Sequence, residues 1–246
     1  MSFNKIRYLL IVPVILLGLM PSVSVYAVVK IENSDSSTVV NVCPDVESAR
    51  NYLKDQEKTF STVLYNVTIY DEEIGIMKNG RFDHDVKSSF ENCTNLHRAN
   101  IKQGVKNIAP YSFEGCINLE SVIISDTVEN IGWSCFANCI NLRNVRLPNG
   151  IGCLSNGIFA NCENLATIII PGSVANIYPL VFERCTGLSS IIIPANVKYI
   201  GSNAFNYCTN LSNIVFQGNA CKIHPHAFQS CSKLDINQLK TRFAEI

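Results

Sequence analysis

The sequence lacks an excess of charge of either sign. Its 246 residues include 20 Lys or Arg and 20 Asp or Glu, so the formal net charge is zero. Nucleic-acid-binding proteins typically carry a basic stripe. The neutral balance of this chain argues against that class, and we expect no nucleic-acid partner. Disordered tails are poor in apolar residues, whereas 47% of this chain is hydrophobic. These features predict a folded protein with a sizeable core.

The sequence also lacks the motifs of common enzyme families. It contains no Gly-x-Ser-x-Gly elbow, no His-Glu-x-x-His pair and no glycine-rich phosphate loop before a helix. The stretch Gly150-Ile-Gly152 falls in a turn between predicted strands. A carboxylate pair formed by neighbouring segments of the fold stays open as an alternative. We predict that the protein is not an enzyme and that it binds no metal or cofactor.

A single long apolar run is present, and it lies at the N-terminus. Two basic residues precede an uncharged, mostly apolar run over 8–20, and small residues follow at Val25 and Ala27. This order is typical of a secretory signal peptide. The run is short for a membrane span, which needs about 20 apolar residues. We predict that 1–27 is a signal peptide and that the protein is secreted or at the cell surface. An uncleaved anchor, which would be the only membrane contact, is the alternative.

Cysteine, by contrast, is abundant, and most of the 11 cysteines follow a 23-residue period that two other residue types share. The cysteine column contains Cys93, Cys116, Cys139, Cys162, Cys185, Cys208 and Cys231. The phenylalanine column contains Phe90, Phe113, Phe136, Phe159, Phe182, Phe205 and Phe228. The leucine column contains Leu96, Leu119, Leu142, Leu165, Leu188, Leu211 and Leu234. A fixed period of this length is typical of repeat proteins.

The repeat pattern predicts the fold class. Residues 165–170 predict a strand that ends at Pro171, and Val174 and Ile177 begin a second short inward segment. One coil cannot bury these residues alone, so stacked neighbours must complete the core. We predict that 86–246 form a seven-coil, α/β-type solenoid of the leucine-rich-repeat kind. This is a right-handed superhelix with a parallel β-sheet on one face and short 3-10 or helical turns elsewhere.

The repeat resembles the BspA-type leucine-rich repeat. The motif is Leu-x-x-Ile-x-Ile-Pro-x-x-Val-x-x-Ile-Gly-x-x-x-Phe-x-x-Cys-x-x-Leu, best seen from Leu188 through Leu211. The resemblance covers about 86–246 and implies an extracellular or cell-surface recognition protein. Some members of the family are adhesins that bind host matrix proteins such as fibronectin and fibrinogen. The outer repeats depart from the motif, at Ala99 and Asn237 for example, as expected of end coils that act as caps.

The segment 28–85 does not repeat. A polar stretch at 33–38 predicts a flexible start, and the pattern over 44–60 predicts an amphipathic helix. Alternation over 62–70 predicts a strand. We predict an N-terminal cap that covers the open end of the core. A separate small binding domain is the alternative.

The cysteine column has two interpretations. Parallel side chains keep their Cβ atoms near the strand spacing of about 4.8 Å, which is longer than the mean of about 3.8 Å for a disulfide. We therefore predict a structural cysteine ladder of buried free thiols, each behaving as a small apolar residue. A redox or metal ladder is the alternative. Four cysteines lie off the ladder, and their state stays open: Cys43, Cys135, Cys153 and Cys221.

A short Cys/His cluster resembles a zinc motif. Cys221-x-x-His224-x-His226 contains residue types that bind zinc, and Cys231 would have to be the fourth ligand. Cys231 occupies an inward position, whereas His224 occupies a turn position, so the two should not converge. We predict two surface histidines in a loop.

The outward positions of the predicted strands contain an apolar column, four residues after each leucine. The candidate partner-binding residues are Ile123, Arg146, Ile169, Ile192 and Val215. An exposed apolar column on a repeat protein is typical of a partner-binding surface, although β-branched residues also suit exposed strands. We predict protein–protein recognition, with a host matrix or surface protein as the partner. The alternatives are a self-associating structural envelope component and a secreted enzyme or inhibitor.

Overall fold

The computed structural model describes residues 28–35, 39–43, 46–59, 65–70, 77–78, 81–82, 90–219, 221–237 and 239. The predicted signal peptide lies outside the described residues. Within the described part, the chain is a β-solenoid with parallel sheets and little helix. No helix in this part is long and apolar enough to cross a membrane.

The secondary structure divides into a non-repeating start and a series of coils. The elements of the start are β1 (Val28–Asn33), β2 (Val39–Cys43), α1 (Val46–Thr59), β3 (Tyr65–Tyr70), β4 (Met77–Lys78) and β5 (Arg81–Phe82). The strands of the coils are β6 (Leu96–Ile101), β7 (Asn107–Ile108), β8 (Ser121–Ile124), β9 (Asn130–Ile131), β10 (Asn144–Arg146), β11 (Cys153–Leu154), β12 (Asn176–Ile177), β13 (Ser190–Ile193), β14 (Tyr199–Ile200), β15 (Asn213–Phe216) and β16 (Lys222–Ile223). Most coils therefore contribute one longer strand and one short strand.

The longer strands form the first face of the solenoid. A six-stranded sheet has the order β10-β8-β6-β3-β1-β2, and β13 pairs with β15 separately. Pairs between coils are parallel and advance by one repeat, so that Arg98, Ser121 and Asn144 stand side by side. The short strands form a second face, where β11-β12-β14-β16 pair in this order and β7 pairs with β9.

The strand predicted over 165–170 is not formed, and that prediction was wrong. The side chains of this segment, the row 165–170, still alternate between the core and the surface, because Ile168 and Ile170 are buried and Ile169 is exposed. Its backbone, however, pairs with neither β10 nor β13. Apolar alternation specifies which side chains point inward, but a strand also needs backbone partners, about which the pattern carries no information. The inward side chains of this segment stay buried without strand pairing.

The non-repeating start extends the first face. β3 pairs in parallel with β6, β1 pairs antiparallel with β3, and β2 is the outer strand. The helix predicted over 44–60 corresponds to α1, and the strand predicted over 62–70 corresponds to β3. The sequence did not predict β1 and β2. The stretch expected to be flexible begins with the end of β1 and a turn at residues 34–35.

One continuous core joins the start to the coils. α1 packs against β1 and β2, where Ala49 and Leu53 are buried with Val29 and Ile31. These side chains belong to the same apolar cluster as the inward columns of the coils. Burial of its apolar side therefore stabilises α1, as is usual for helices in proteins.

The phenylalanine column forms the centre of this core. All seven rings are at most 1% exposed. Consecutive rings stack with centroid distances between 4.8 and 5.7 Å. These distances equal or slightly exceed the strand spacing of about 4.8 Å, so the rings stay stacked from one coil to the next. A column packed in this way tolerates little change in volume.

The turn before each ladder cysteine uses left-handed backbone. The residues in this position have φ between 55° and 70°: Asn92, Gly115, Asn138, Asn161, Arg184, Tyr207 and Ser230. Glycine and asparagine adopt this conformation most readily, which explains why they occupy most of the position. At Gly115 a Cβ would also lie 2.1 Å from Asn92 Oδ1, so this turn requires glycine for space as well.

Candidate functional site

The exposed apolar column lies on the first face, on β8, β13, β15 and the row 165–170. Its side chains are exposed to 47% at Ile123, 85% at Ile169, 53% at Ile192 and 45% at Val215. The residues on either side of them along each strand point into the core, because successive strand residues face opposite sides. Short polar residues flank the column and are also exposed: Asn144, Thr167, Ser190 and Asn213. The apolar side chains of the column are therefore bordered by shorter polar side chains on the same face.

Arg146 adds one positive charge to this column. Its guanidinium donates a hydrogen bond to the Ile124 carbonyl oxygen at 2.6 Å and another to Asp126 Oδ2 at 2.8 Å. The pKa of Asp126 is lowered, first because the backbone N–H of Asn149 donates to its carboxylate and second because Arg146 does. Exposed ion pairs stabilise folds little, so the main result of these contacts is a guanidinium held in one place.

The ladder cysteines lie in the core beside the phenylalanine column. All seven are at most 4% exposed, and none forms a disulfide in the structure. Six of the thiols donate a hydrogen bond to the carbonyl oxygen of the phenylalanine one coil earlier, at 3.0–3.2 Å, as Cys162 does to Phe136. Each thiol thus supplies a weak donor to a buried turn carbonyl.

Burial raises the pKa of every ladder thiol. Desolvation is the largest cause throughout, and it raises the pKa of Cys93 to about 12 and that of Cys231 to about 11. The pKa values of the five thiols between them are raised as well. The thiolate is the form that attacks substrates and binds metals, so a neutral buried thiol suits packing and not catalysis.

The off-ladder cysteines have different surroundings. Cys135 is buried and Cys153 is half-buried, and desolvation raises the pKa of both thiols. Cys221 is buried in the last part of the solenoid. Cys43 lies in β2, and its side chain is outside the described residues.

The two histidines of the Cys/His cluster contact each other. The backbone N–H of His226 donates to His224 Nδ1 at 3.1 Å, and the two rings meet edge to face with centroids 5.4 Å apart. The Cys231 thiol instead donates to the Phe205 carbonyl oxygen in the core. Over the described part of the chain, no three His, Cys, Asp or Glu side chains come close enough to hold a metal ion.

Sequence reasoning missed a shallow cleft that follows the short strands. The cleft has a volume of about 480 Å³ and is lined by Trp133, Ser155, Asn156 and Tyr178. These residues precede the inward phenylalanines of three consecutive coils by three or four positions. The sequence does contain a signal for the cleft. Trp133 and Tyr178 occupy nearly equivalent positions in two coils, and the coil between them has the small polar residues Ser155 and Asn156 there.

Comparisons with known proteins show what the chain resembles. A family model described as a BspA type leucine-rich repeat region, in 6 copies, matches residues 64–132 and 106–235. A leucine rich cell surface protein from Faecalibacterium prausnitzii is 35% identical over 50% of this chain and 32% of its own, with a TM-score of 0.49. The chain therefore spans about a third of that protein. A leucine-rich repeat protein from T. pallidum is 22% identical over 72% of this chain and 86% of its own, with a TM-score of 0.60. A comparison with curated proteins found no match.

Proposed function

Because the chain belongs to the BspA-type leucine-rich repeat family, we propose that it is a secreted or cell-surface protein that recognises another protein through its exposed apolar column. The family match confirms the resemblance seen in the repeat motif. Export through a signal peptide at 1–27 belongs to this proposal, as do the seven coils over 86–246 and their right-handed superhelix. Connections between parallel neighbouring strands are right-handed in nearly all proteins, which supports that handedness.

The observation that carries the proposal is the exposure of the column. Ile169 is 85% exposed and therefore contributes almost nothing to the core. From Ile123 to Val215 the column crosses four coil spacings, or about 19 Å. Arg146 interrupts the apolar residues after Ile123, and the continuous apolar part runs over three neighbouring coils, from Ile169 to Val215. An exposed apolar patch of this kind typically marks an interaction site.

The mechanism is recognition by a preformed surface. The stacked core fixes the backbone below the column, and the β-branched side chains of Ile169, Ile192 and Val215 have restricted χ1 angles. Binding therefore orders few groups, which lowers its entropic cost. Arg146, held by Asp126, offers one directional charged contact beside the apolar ones.

The finer form of the proposal is adhesion to a host matrix protein, without enzymatic activity. The test uses immobilised fibronectin and fibrinogen, together with a pull-down from a matrix extract. The double variant Ile169→Lys/Ile192→Lys should weaken binding by at least about tenfold, because charge and lost contact fall at the centre of the column. The matched control is Ile117→Lys/Ile140→Lys, since both residues are 39% exposed and lie in another column.

The results of this test distinguish recognition through the exposed apolar column from self-association. Binding that falls equally in both double variants, or in neither, contradicts recognition through the column. Light scattering on the same proteins addresses self-association. Oligomers that form with rising concentration and disappear in Ile169→Lys/Ile192→Lys, without binding to either matrix protein, would instead support a structural envelope component.

A further inference from the structure

A second surface of the solenoid combines aromatic side chains with an absence of charge. It consists of the three residues that stand two to four positions before each of the six inward phenylalanines from Phe113 to Phe228, here named the corner strip. The corner strip contains residues 109–111, 132–134, 155–157, 178–180, 201–203 and 224–226. None of these positions holds Lys, Arg, Asp or Glu, although 16% of the chain is charged. The two histidines of the strip, His224 and His226, lie two coils beyond Tyr178, so a charged ligand in the region of Trp133 and Tyr178 would find no ionic partner within the strip.

The cleft of about 480 Å³ lies in the corner strip. Its volume falls within the range of about 300–1,000 Å³ that is usual for small-ligand sites. Trp133 and Tyr178 belong to coils that are two repeats apart, which corresponds to about 10 Å at the strand spacing. A ring in contact with two aromatic side chains needs about 7–8 Å between them, twice the optimal separation of carbon atoms. The spacing therefore accommodates one ring of a ligand.

The tryptophan side of the cleft is supported from behind. Tyr111 and Trp133 meet edge to face with ring centroids 6.1 Å apart, which fixes the indole. On the opposite side, Tyr178 is 40% exposed, so its ring is accessible to a ligand. Large aromatic side chains that are already ordered lose little freedom on binding.

The floor of the cleft offers polar groups to a ligand. The Ser155 hydroxyl donates to the Ile131 carbonyl oxygen at 2.5 Å and is also hydrogen-bonded to the Cys153 side chain, so one oxygen lone pair remains as an acceptor for a ligand. Asn156 is exposed, and its side-chain amide makes no hydrogen bond to any residue that the structure describes. The amide provides both donors and an acceptor. The floor can therefore bind hydroxyl groups in either direction.

We propose that this cleft binds a neutral sugar ring of a glycan. A pyranose has an apolar face of C–H groups, which packs on an aromatic ring, and a border of hydroxyl groups, which bind serine and asparagine. The cleft offers both features, and none of the four residues that line it is a cation that would select an acidic sugar or a phosphate. The site belongs to a different face from the exposed apolar column, and the two proposals stand or fall separately.

Trp133 makes the test direct, because it is the only tryptophan in the chain. The purified protein is titrated with neutral hexasaccharides of glucose, mannose, galactose and N-acetylglucosamine at up to millimolar concentration. Tryptophan emission and calorimetry are recorded together. We expect a saturable change in both signals with at least one of the four sugars.

Variants then locate the binding. Tyr178→Ala and Asn156→Ala should each weaken the sugar, with Tyr178→Ala raising the dissociation constant about tenfold. Tyr207→Ala is the matched control, because Tyr207 is 44% exposed and lies outside the corner strip, and it should leave binding unchanged. Ile169→Lys should also leave it unchanged.

Three results would overturn the proposal. The first is no calorimetric signal with any of the four sugars. The second is binding that Tyr178→Ala and Asn156→Ala leave unaltered while circular dichroism shows both variants to be folded. The third is a response to heparin or to a proline-rich decapeptide in the absence of one to neutral sugars, which would assign the cleft to an anionic glycan or a peptide.

Discussion

The start of the chain and the coils build the same core by different means. In the coils, the phenylalanine, cysteine and leucine columns each repeat one residue type, and each coil covers its neighbour with a similar apolar surface. The start, from β1 to β3, breaks this pattern with antiparallel strands and a 14-residue helix. A repeat unit always exposes one apolar end, so an identical unit can never finish the array. The difference shows that a segment without the repeat can join the same core at one end of the coils.

Specific polar contacts attach the helix of the start to the first coil. Lys54 Nζ donates to the Asn92 carbonyl oxygen at 2.6 Å, and Asn95 Nδ2 donates to the Leu53 carbonyl oxygen at 2.7 Å. Asn95 is buried, so this bond satisfies a donor that water cannot reach. We propose on this basis that 28–85 is an N-terminal cap.

The largest effect is expected where the coils are most uniform. Phe159 is fully buried and stacks at 5.7 Å on both neighbouring rings. Phe159→Ala should lower the free energy of unfolding by about 3–5 kcal/mol, since a large cavity opens inside the column. Urea denaturation measures this loss. Ile117→Ala, at an exposed position, is the control and should stay within about 0.5 kcal/mol. A loss below about 1 kcal/mol for Phe159→Ala would mean that the column relaxes around the cavity.

A somewhat smaller and more local effect is expected in the start. Leu53→Ala should cost about 2–5 kcal/mol, because Leu53 is fully buried on the inner side of the helix. Hydrogen exchange should show lost protection over 28–70 and the first coil together. The control is Asn51→Ala on the exposed side of the same helix. Lost protection in the start with unchanged protection in the first coil would contradict the cap and support a separate small domain.

The ladder thiols give the coils a pH dependence. Their folded pKa values lie above the ordinary value of 9.0, and that of Cys93 is about 12. Unfolded thiols therefore lose protons before folded ones, and stability must fall as the pH rises above 9.0 toward the folded pKa. Each fully titrating thiol contributes about 1.4 kcal/mol per pH unit. Urea denaturation under reducing conditions measures how steeply the free energy of unfolding falls with pH. Cys162→Ala should reduce this slope by the contribution of one thiol.

A pH-independent free energy of unfolding across this range would contradict the burial of the ladder. Thiol reagents offer a second measurement. The ladder thiols should react slowly in the native protein and fully after denaturation, because the reactive thiolate is suppressed by burial. Fast reaction of the ladder in the native state would contradict the same conclusion.

The smallest effect concerns backbone strain within one turn position of the coils. Leu180 and Gly157 occupy the same position in consecutive coils, with φ of 63° and 61°. Leu180→Gly should raise stability by up to about 1 kcal/mol, since glycine adopts this conformation without steric cost. Gly157→Ala, the matched opposite change, should lower it by a similar amount. Equal signs for the two variants would show that packing and not backbone strain governs the turn.

The inward columns could be predicted from the sequence because they depend on local order alone. The period placed Phe159 and Cys162 in the core, and alternation placed Ile169 and Ile192 outside. The same reasoning failed for the row 165–170, where the residues favour a strand but the backbone finds no partner. It also missed β1 and β2, whose pairing with each other and with β3 depends on contacts between distant parts of the chain.

The candidate sites divide in the same way. The apolar column could be predicted from the repeat. The contact of Arg146 with Asp126 joins two coils, and no local sequence pattern predicts it. The cleft required knowledge of which turns become neighbours. Trp133 and Tyr178 are 45 residues apart in sequence, yet they line the same cavity.

The sequence by itself determined the coil length, the family and the composition of the core. A 23-residue period with apolar side chains at fixed positions can bury them only by stacking coil on coil, so the solenoid follows directly. The tertiary structure alone decided which coils pair as strands, how the start joins the first coil and which exposed residues meet across coils. These features depend on backbone partners and on side chains from different repeats, and such contacts exist only once the coils are stacked.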